Sequence, residues 1–152
     1  MTVPIDLSRI LANAATTQQA PALPLSVADA HRLARHGVYL LEQKNLEDAS
    51  LAASLAVAVI PDDYVASLLH GCCLAQKHQA REALAAYARA ERARPRELRP
   101  YVDAGEVLLS LGDYPAAAAK LKRALELDPE GATPAGHRAH MLVMRVLSAV
   151  NG

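Results

Sequence analysis

Aromatic residues are almost missing from this chain, which has no Phe, no Trp and only five Tyr among 152 residues. Surfaces that bind nucleic acid usually interleave aromatics with an excess of positive charge. Here sixteen basic residues are balanced by sixteen acidic ones, so no global field favours a polyanion or an anionic membrane. Cysteine is scarce as well. Cys72 and Cys73 are adjacent, which is unsuited to a structural disulfide and fits a reducing compartment. Residues 1–6 lack a basic stretch running into an apolar one, so no signal peptide is evident. The longest apolar run, 51–60, is too short to span a bilayer. No glycine-rich phosphate loop, nucleophile elbow or HExxH motif occurs, so neither catalysis nor a cofactor is expected. What remains is a soluble, cytoplasmic protein.

Alanine and leucine dominate what is present, and the chain is 52% hydrophobic. That mixture favours close-packed helices over strands. Gly37, Gly71 and Gly105 recur every 34 residues, as do Pro61, Pro95 and Pro129. Ala49, Ala83 and Ala117 keep the same step, followed by Ala56, Ala90 and Ala124. A 34-residue period marks helix–turn–helix units stacked side by side. The expected fold is all-α: a right-handed superhelical stack of three repeats, 30–63, 64–97 and 98–131, closed by a capping helix at 134–150. The repeat domain spans 26–152 and opens on a capping box, Ser26-Val27-Ala28-Asp29. Residues 1–25 form an extension, with an amphipathic helix through Ile5, Leu7, Ile10 and Leu11 followed by a flexible, proline-bearing linker.

The repeated residues have physical roles. A mid-helix glycine costs about 1 kcal/mol relative to alanine, so three at one register imply a neighbour too close for a side chain. Each second helix should stop ahead of its proline, which lacks an N–H and disfavours helical geometry in the residue before it. Turns are expected near Lys44–Asn45, Lys77–His78 and Gly112–Asp113.

The third unit carries the clearest pattern: Tyr101, Gly105, Gly112-Asp113-Tyr114, Ala117, Ala124 and Asp128-Pro129. It resembles the tetratricopeptide repeat. The first two units depart from that pattern, with Lys44 and His78 at the turn position usually held by glycine, and Leu33 and Ser67 in place of the large aromatic. Looser turns are expected there. More narrowly, the chain resembles class II chaperones of bacterial type III secretion. Gly71-Cys72-Cys73-Leu74-Ala75-Gln76 is similar to that family's Gly-Ala-Cys-x-x-Ala region, and the stretch from Pro100 to Leu109 to its Pro-x-x-x-Ala-x-Glu-x-Leu-Leu segment. The resemblance implies a bacterial, cytoplasmic chaperone holding a short proline- and leucine-containing segment of a hydrophobic translocator. It also implies that the N-terminal helix can pair two protomers; docking back on its own stack is the alternative. A generic adaptor joining folded proteins is the rival function, with an enzyme-regulatory subunit behind it.

On each first helix one stripe should pack on the second helix, and a stripe about 140° around the wheel should line the groove. The groove stripe comprises His31, Ala34, Val38 and Leu41, then Val65, Leu68, Cys72 and Ala75 with Leu69 beside them, then Arg99, Val102, Glu106 and Leu109. Its middle portion is apolar, as expected of an interaction surface. The alternative occupants are this chain's own N-terminal segment and a second copy. Arg35 and Arg99 are candidates to meet acidic groups on a ligand, and the stripe lacks the Lys/Asn pattern that clamps a terminal carboxylate. Leu68→Glu and Val102→Glu are both expected to abolish binding and spare the fold. His137 and His140, spaced i, i+3, lack nearby partners for a metal and are read as solvated. Arg89, Arg92, Arg94, Arg96 and Arg99 crowd one turn, while Glu42, Glu47, Asp48, Asp62 and Asp63 make the opposite end acidic.

Overall fold

The computed structural model describes residues 6–16 and 25–152, and among them every regular element is a helix. A short α1 (Leu7–Thr16) precedes α2 (Val27–Glu42), α3 (Leu46–Val59), α4 (Tyr64–Gln76), α5 (Ala80–Ala93), α6 (Arg99–Ser110), α7 (Tyr114–Leu127) and α8 (Pro134–Asn151). Ile5 and residues 17–24 of the linker expected at 16–25 lie outside the described residues, while Thr16 ends α1. None of the helices is long and apolar enough to cross a membrane.

Local chemistry sets the helix boundaries. Ser26 accepts from the Asp29 amide and Asp29 answers to the Ser26 amide, completing the capping box that starts α2. Asn45, Asp63, Asp113 and Thr133 cap α3, α4, α7 and α8 by accepting from the third amide onward. The second helices end at Val59, Ala93 and Leu127, each two residues ahead of its proline. After α7, Asp128 accepts from the amides of Ala132 and Thr133 and from the Thr133 hydroxyl, which aims the chain into α8.

The turns within the units correct one expectation. Lys44, His78 and Gly112 all take positive φ, at 64°, 59° and 77°. In each turn the following residue's amide bonds a leucine carbonyl five positions back: Asn45 to Leu40, Gln79 to Leu74, Asp113 to Leu108, at 2.9–3.0 Å. Lys44 and His78 therefore make turns as tight as the glycine turn, at the expense of a left-handed backbone that glycine adopts freely. The missing aromatic is also accommodated. The Tyr101 hydroxyl donates to the Pro95 carbonyl at 3.0 Å, and Ser67, one repeat earlier, donates to Pro61 at 3.1 Å with a shorter side chain.

Helices pair as α2–α3, α4–α5 and α6–α7; α4, α6 and α8 then lie on the second helix of the preceding unit. Alanines 49, 52, 53, 56, 83, 86, 90, 117 and 124 are fully buried at these contacts. The three glycines explain the spacing. A β-carbon at Gly71 would stand 2.6 Å from the Tyr87 ring, and one at Gly105 would stand 2.8 Å from Leu121. The first unit has Ala53 where the others have Tyr87 and Leu121, and the space over Gly37 is filled instead by Leu69 from α4. Helix α1 lies against α3, with Ile10 and Leu11 buried.

Helix α8 packs through Ala139, Leu142 and Val146 onto α6 and α7. Met141, Met144 and Leu147 of the same helix are exposed.

Candidate peptide-binding groove

First helices of successive units stand side by side, so equivalent positions on α2, α4 and α6 line one face of the stack. Between α2 and α4 that face opens into a cavity of about 360 Å³, lined by Arg35, Val38, Leu41, Tyr64, Val65, Leu68, Leu69, Cys72 and Arg99. Val38, Leu41, Val65 and Leu68 keep part of their surface in solvent, because among the described residues no helix covers this side of the first two units. A second cavity of about 210 Å³ adjoins it through Leu41, Cys72 and Arg99. Its other walls are Ala75, Gln76, Tyr87, Asp103, Glu106, Val107 and Arg138.

The two cavities differ in chemistry. The first is a hydrocarbon basin. The second centres on Asp103, which is only 5% exposed and would be costly to leave unpaired. Arg138 of α8 donates to it at 2.7 Å, the Arg99 Nε donates at 3.4 Å, and the Cys72 thiol points at it from 3.6 Å. Arg138 also pairs closely with Glu106. Burial, and next the Asp103 charge, push the Cys72 thiol up to about 11. Cys72 therefore stays protonated near neutrality and acts as part of the wall. Cys73, fully buried beside it, is pushed up to about 12, chiefly by burial.

Several residues of the expected stripe are placed elsewhere. Ala34 and Val102 are buried, at 1% and 0% exposure, and have no surface to offer a ligand. Ala34 is sealed among Leu33, Ala52, Ala56 and Ala66, while Val102 lies beneath Ala139 and Leu142 of α8. Leu69 is 3% exposed because it fills the space over Gly37, leaving only its edge in the cavity floor. Val102→Glu would therefore place a carboxylate in a packed core, which argues against the expected sparing of the fold. Leu109 leans on the same α8 core, and His31 pairs with Asp63 at 3.5 Å outside both cavities. The apolar part of the groove thus belongs to the first two units, with Arg99 at its far edge, and the polar cavity continues it along α6 to Arg138.

Sequence reasoning missed six lining residues, Tyr64, Gln76, Tyr87, Asp103, Val107 and Arg138, and three of them carry charge or a cation contact. Tyr64 opens α4, and its ring lies under the Arg94 guanidinium at 4.7 Å. Asp103 was legible as an i, i+4 partner of Arg99 on one helix. Arg138 gave no signal, since its role depends on how α8 docks. Three other histidines have structural surroundings: Arg89 approaches His70 Nδ1 at 3.4 Å, His36 stacks on Tyr39, and His140 meets the Pro129 carbonyl at 3.0 Å.

No family model matches the chain, and no curated protein matches it. Solved structures do. The first tetratricopeptide domain of Spaghetti (RPAP3), bound to the HSP90 peptide SRMEEVD, aligns with a TM-score of 0.75 at 15% identity, over 86% of this chain and 100% of that one. The Yersinia enterocolitica type III secretion translocator chaperone SycD gives 0.71 at 23% identity, over 82% and 88%. PcrH in complex with the chaperone binding region of PopD gives 0.71 at 21% identity, over 86% and 98%. At these identities the likeness establishes the fold: this chain has the fold of a tetratricopeptide repeat stack, and its structural neighbours include type III secretion translocator chaperones.

Proposed function

We propose that this protein is a cytoplasmic chaperone of a bacterial type III secretion system, holding an extended segment of a hydrophobic translocator or other export substrate in its groove. The reading is carried by the apolar cavity between α2 and α4, which no part of the described chain fills. Contiguous open hydrocarbon on a soluble protein is a standing liability unless a partner covers it. An extended segment fits this geometry, since alternate side chains enter pockets while its backbone bonds to groove side chains. The Gly71–Gln76 and Pro100–Leu109 resemblances and the likeness to SycD and PcrH favour an export substrate as the occupant. Occupying that segment keeps the client soluble, and no nucleotide is needed.

The test is co-expression with the hydrophobic product of a neighbouring reading frame. Wild type should carry that client into the soluble fraction as a stable complex, and Val38→Glu and Leu68→Glu should lose it while staying folded. A client equally soluble alone would end the chaperone reading. That outcome would leave a tetratricopeptide adaptor between folded partners, a reading supported by the likeness to the peptide-bound Spaghetti domain.

A further inference from the structure

The apolar cavity has a one-sided electrostatic rim. Nine residues line it; Arg35 and Arg99 are the charged ones, and no carboxylate is among them. Arg35 is exposed, and among the described residues it has no ion-pair or hydrogen-bond partner. Arg99 offers Asp103 only its Nε, at 3.4 Å, and its side chain remains 58% exposed. Asp103 is meanwhile held more closely by Arg138, at 2.7 Å, so its charge is already shared when Arg99 reaches it. The Arg94 guanidinium over the Tyr64 ring adds a third cation behind the wall. Hydrocarbon between unspent guanidiniums suits a ligand that is greasy at its centre and anionic at its ends, because guanidinium pairs with carboxylate in a two-pronged geometry.

We propose that the segment held in this cavity presents a bulky aliphatic side chain flanked on both sides by carboxylate side chains, which meet Arg35 and Arg99. This rests on the groove reading above and adds the ligand's chemical class to it. The two arginines rise from α2 and α6, two helix spacings or roughly 16–20 Å apart, which an extended chain spans in about five or six residues. The recognised pattern is therefore an acid, a short aliphatic stretch and a second acid within one extended segment. Because both guanidiniums sit at the rim, they add selectivity and speed of encounter more than affinity, and their contribution fades with salt.

A random twelve-residue peptide library, displayed on phage and selected at low ionic strength on the full chain, tests this directly. Wild type should enrich aliphatic residues flanked by Asp or Glu, Leu68→Glu should enrich nothing, and Arg35→Glu should shift the flank on its side toward Lys or Arg. Arg35→Gln should weaken an enriched peptide by roughly two- to fivefold, with the difference vanishing in high salt. Enrichment of aliphatic peptides without acidic flanks, still lost in Leu68→Glu, would overturn the charge pattern and keep the groove. Peptides retained equally by wild type and Leu68→Glu, or no enrichment on a wild type shown to be folded, would overturn the groove reading together with this one.

Discussion

Arg138 on α8 donates to the Asp103 carboxylate of α6 at 2.7 Å, joining the capping helix to the last repeat inside the groove. The Asp103 side chain is almost sealed, whereas that of Arg138 is 42% exposed, so the two ends of the pair are not equivalent. Removing the acid strips two arginines and the Cys72 thiol of their common acceptor. Asp103→Asn should cost about 1–3 kcal/mol. Arg138→Ala should cost no more than about 1 kcal/mol, because Arg99 stays beside the carboxylate and half-exposed pairs are weakened by solvent. Urea denaturation of both variants checks the order. Equal losses would mean that the pair contributes only as a surface bridge.

The turns at Lys44 and His78 predict stabilising substitutions. Both residues hold positive φ in the geometry that Gly112 adopts without a side chain. A left-handed non-glycine residue costs on the order of 1–3 kcal/mol, offset by roughly 0.5–1 for the extra freedom glycine loses on folding. Lys44→Gly and His78→Gly should each gain about 0.5–1 kcal/mol, and Gly112→Ala should lose a similar amount. Chemical denaturation of the three single variants decides the matter. Destabilisation by both glycines would show that the Lys44 and His78 side chains contribute more than their backbones cost.

Cys72 makes stability depend on alkaline pH. Its thiol is raised in the fold to about 11 from an ordinary value of 9.0, by burial first and Asp103 second. A group raised in this way favours the fold fully below about pH 9, and that contribution is lost as pH climbs from 9 toward 11. The urea midpoint should fall across that window in wild type and fall less in Cys72→Ala. Alkylation of the native protein at pH 8 should run roughly two orders of magnitude slower than for a free thiol. Asp103→Asn should quicken it, since the neighbouring negative charge is gone.

The stack itself was legible because its signals are local and repeated. Glycines spaced by 34 mark close helix contacts, the prolines end the second helices, and Ser26 with Asp29 opens α2. The turn conformation at Lys44 and His78 was hidden by residue type, since the hydrogen bonds to Leu40 and Leu74 dictate φ there whichever side chain is present. On the groove, a helical wheel orders residues around one helix and is silent about which neighbour covers them. Val38 and Leu68 came out partly open because none of the described residues docks over α2 and α4 on that side. Val102 has Leu68's register one repeat on, yet α8 lies across it. Leu69 turned inward for a reason found 16 residues away, where Ala53 is too small to fill the space above Gly37.

That difference in cover separates two substitutions that the sequence treats alike. Leu68 stands at the cavity wall with part of its side chain in solvent, so a glutamate there can extend its carboxylate into the opening. Val102 is 0% exposed within the core formed by Leu98, Ala139, Leu142 and Val143. A glutamate at that site must be desolvated, protonated or expelled along with α8, and each route costs several kcal/mol. Leu68→Glu should keep the wild-type helical circular dichroism and melt within a few degrees of the parent while losing its partner. Val102→Glu should melt far lower, with proteolysis beginning ahead of α8 around Gly131 and Ala132. Similar melting of the two variants would show that α8 does not seal the third unit, and that the apolar part of the groove runs on past Arg99.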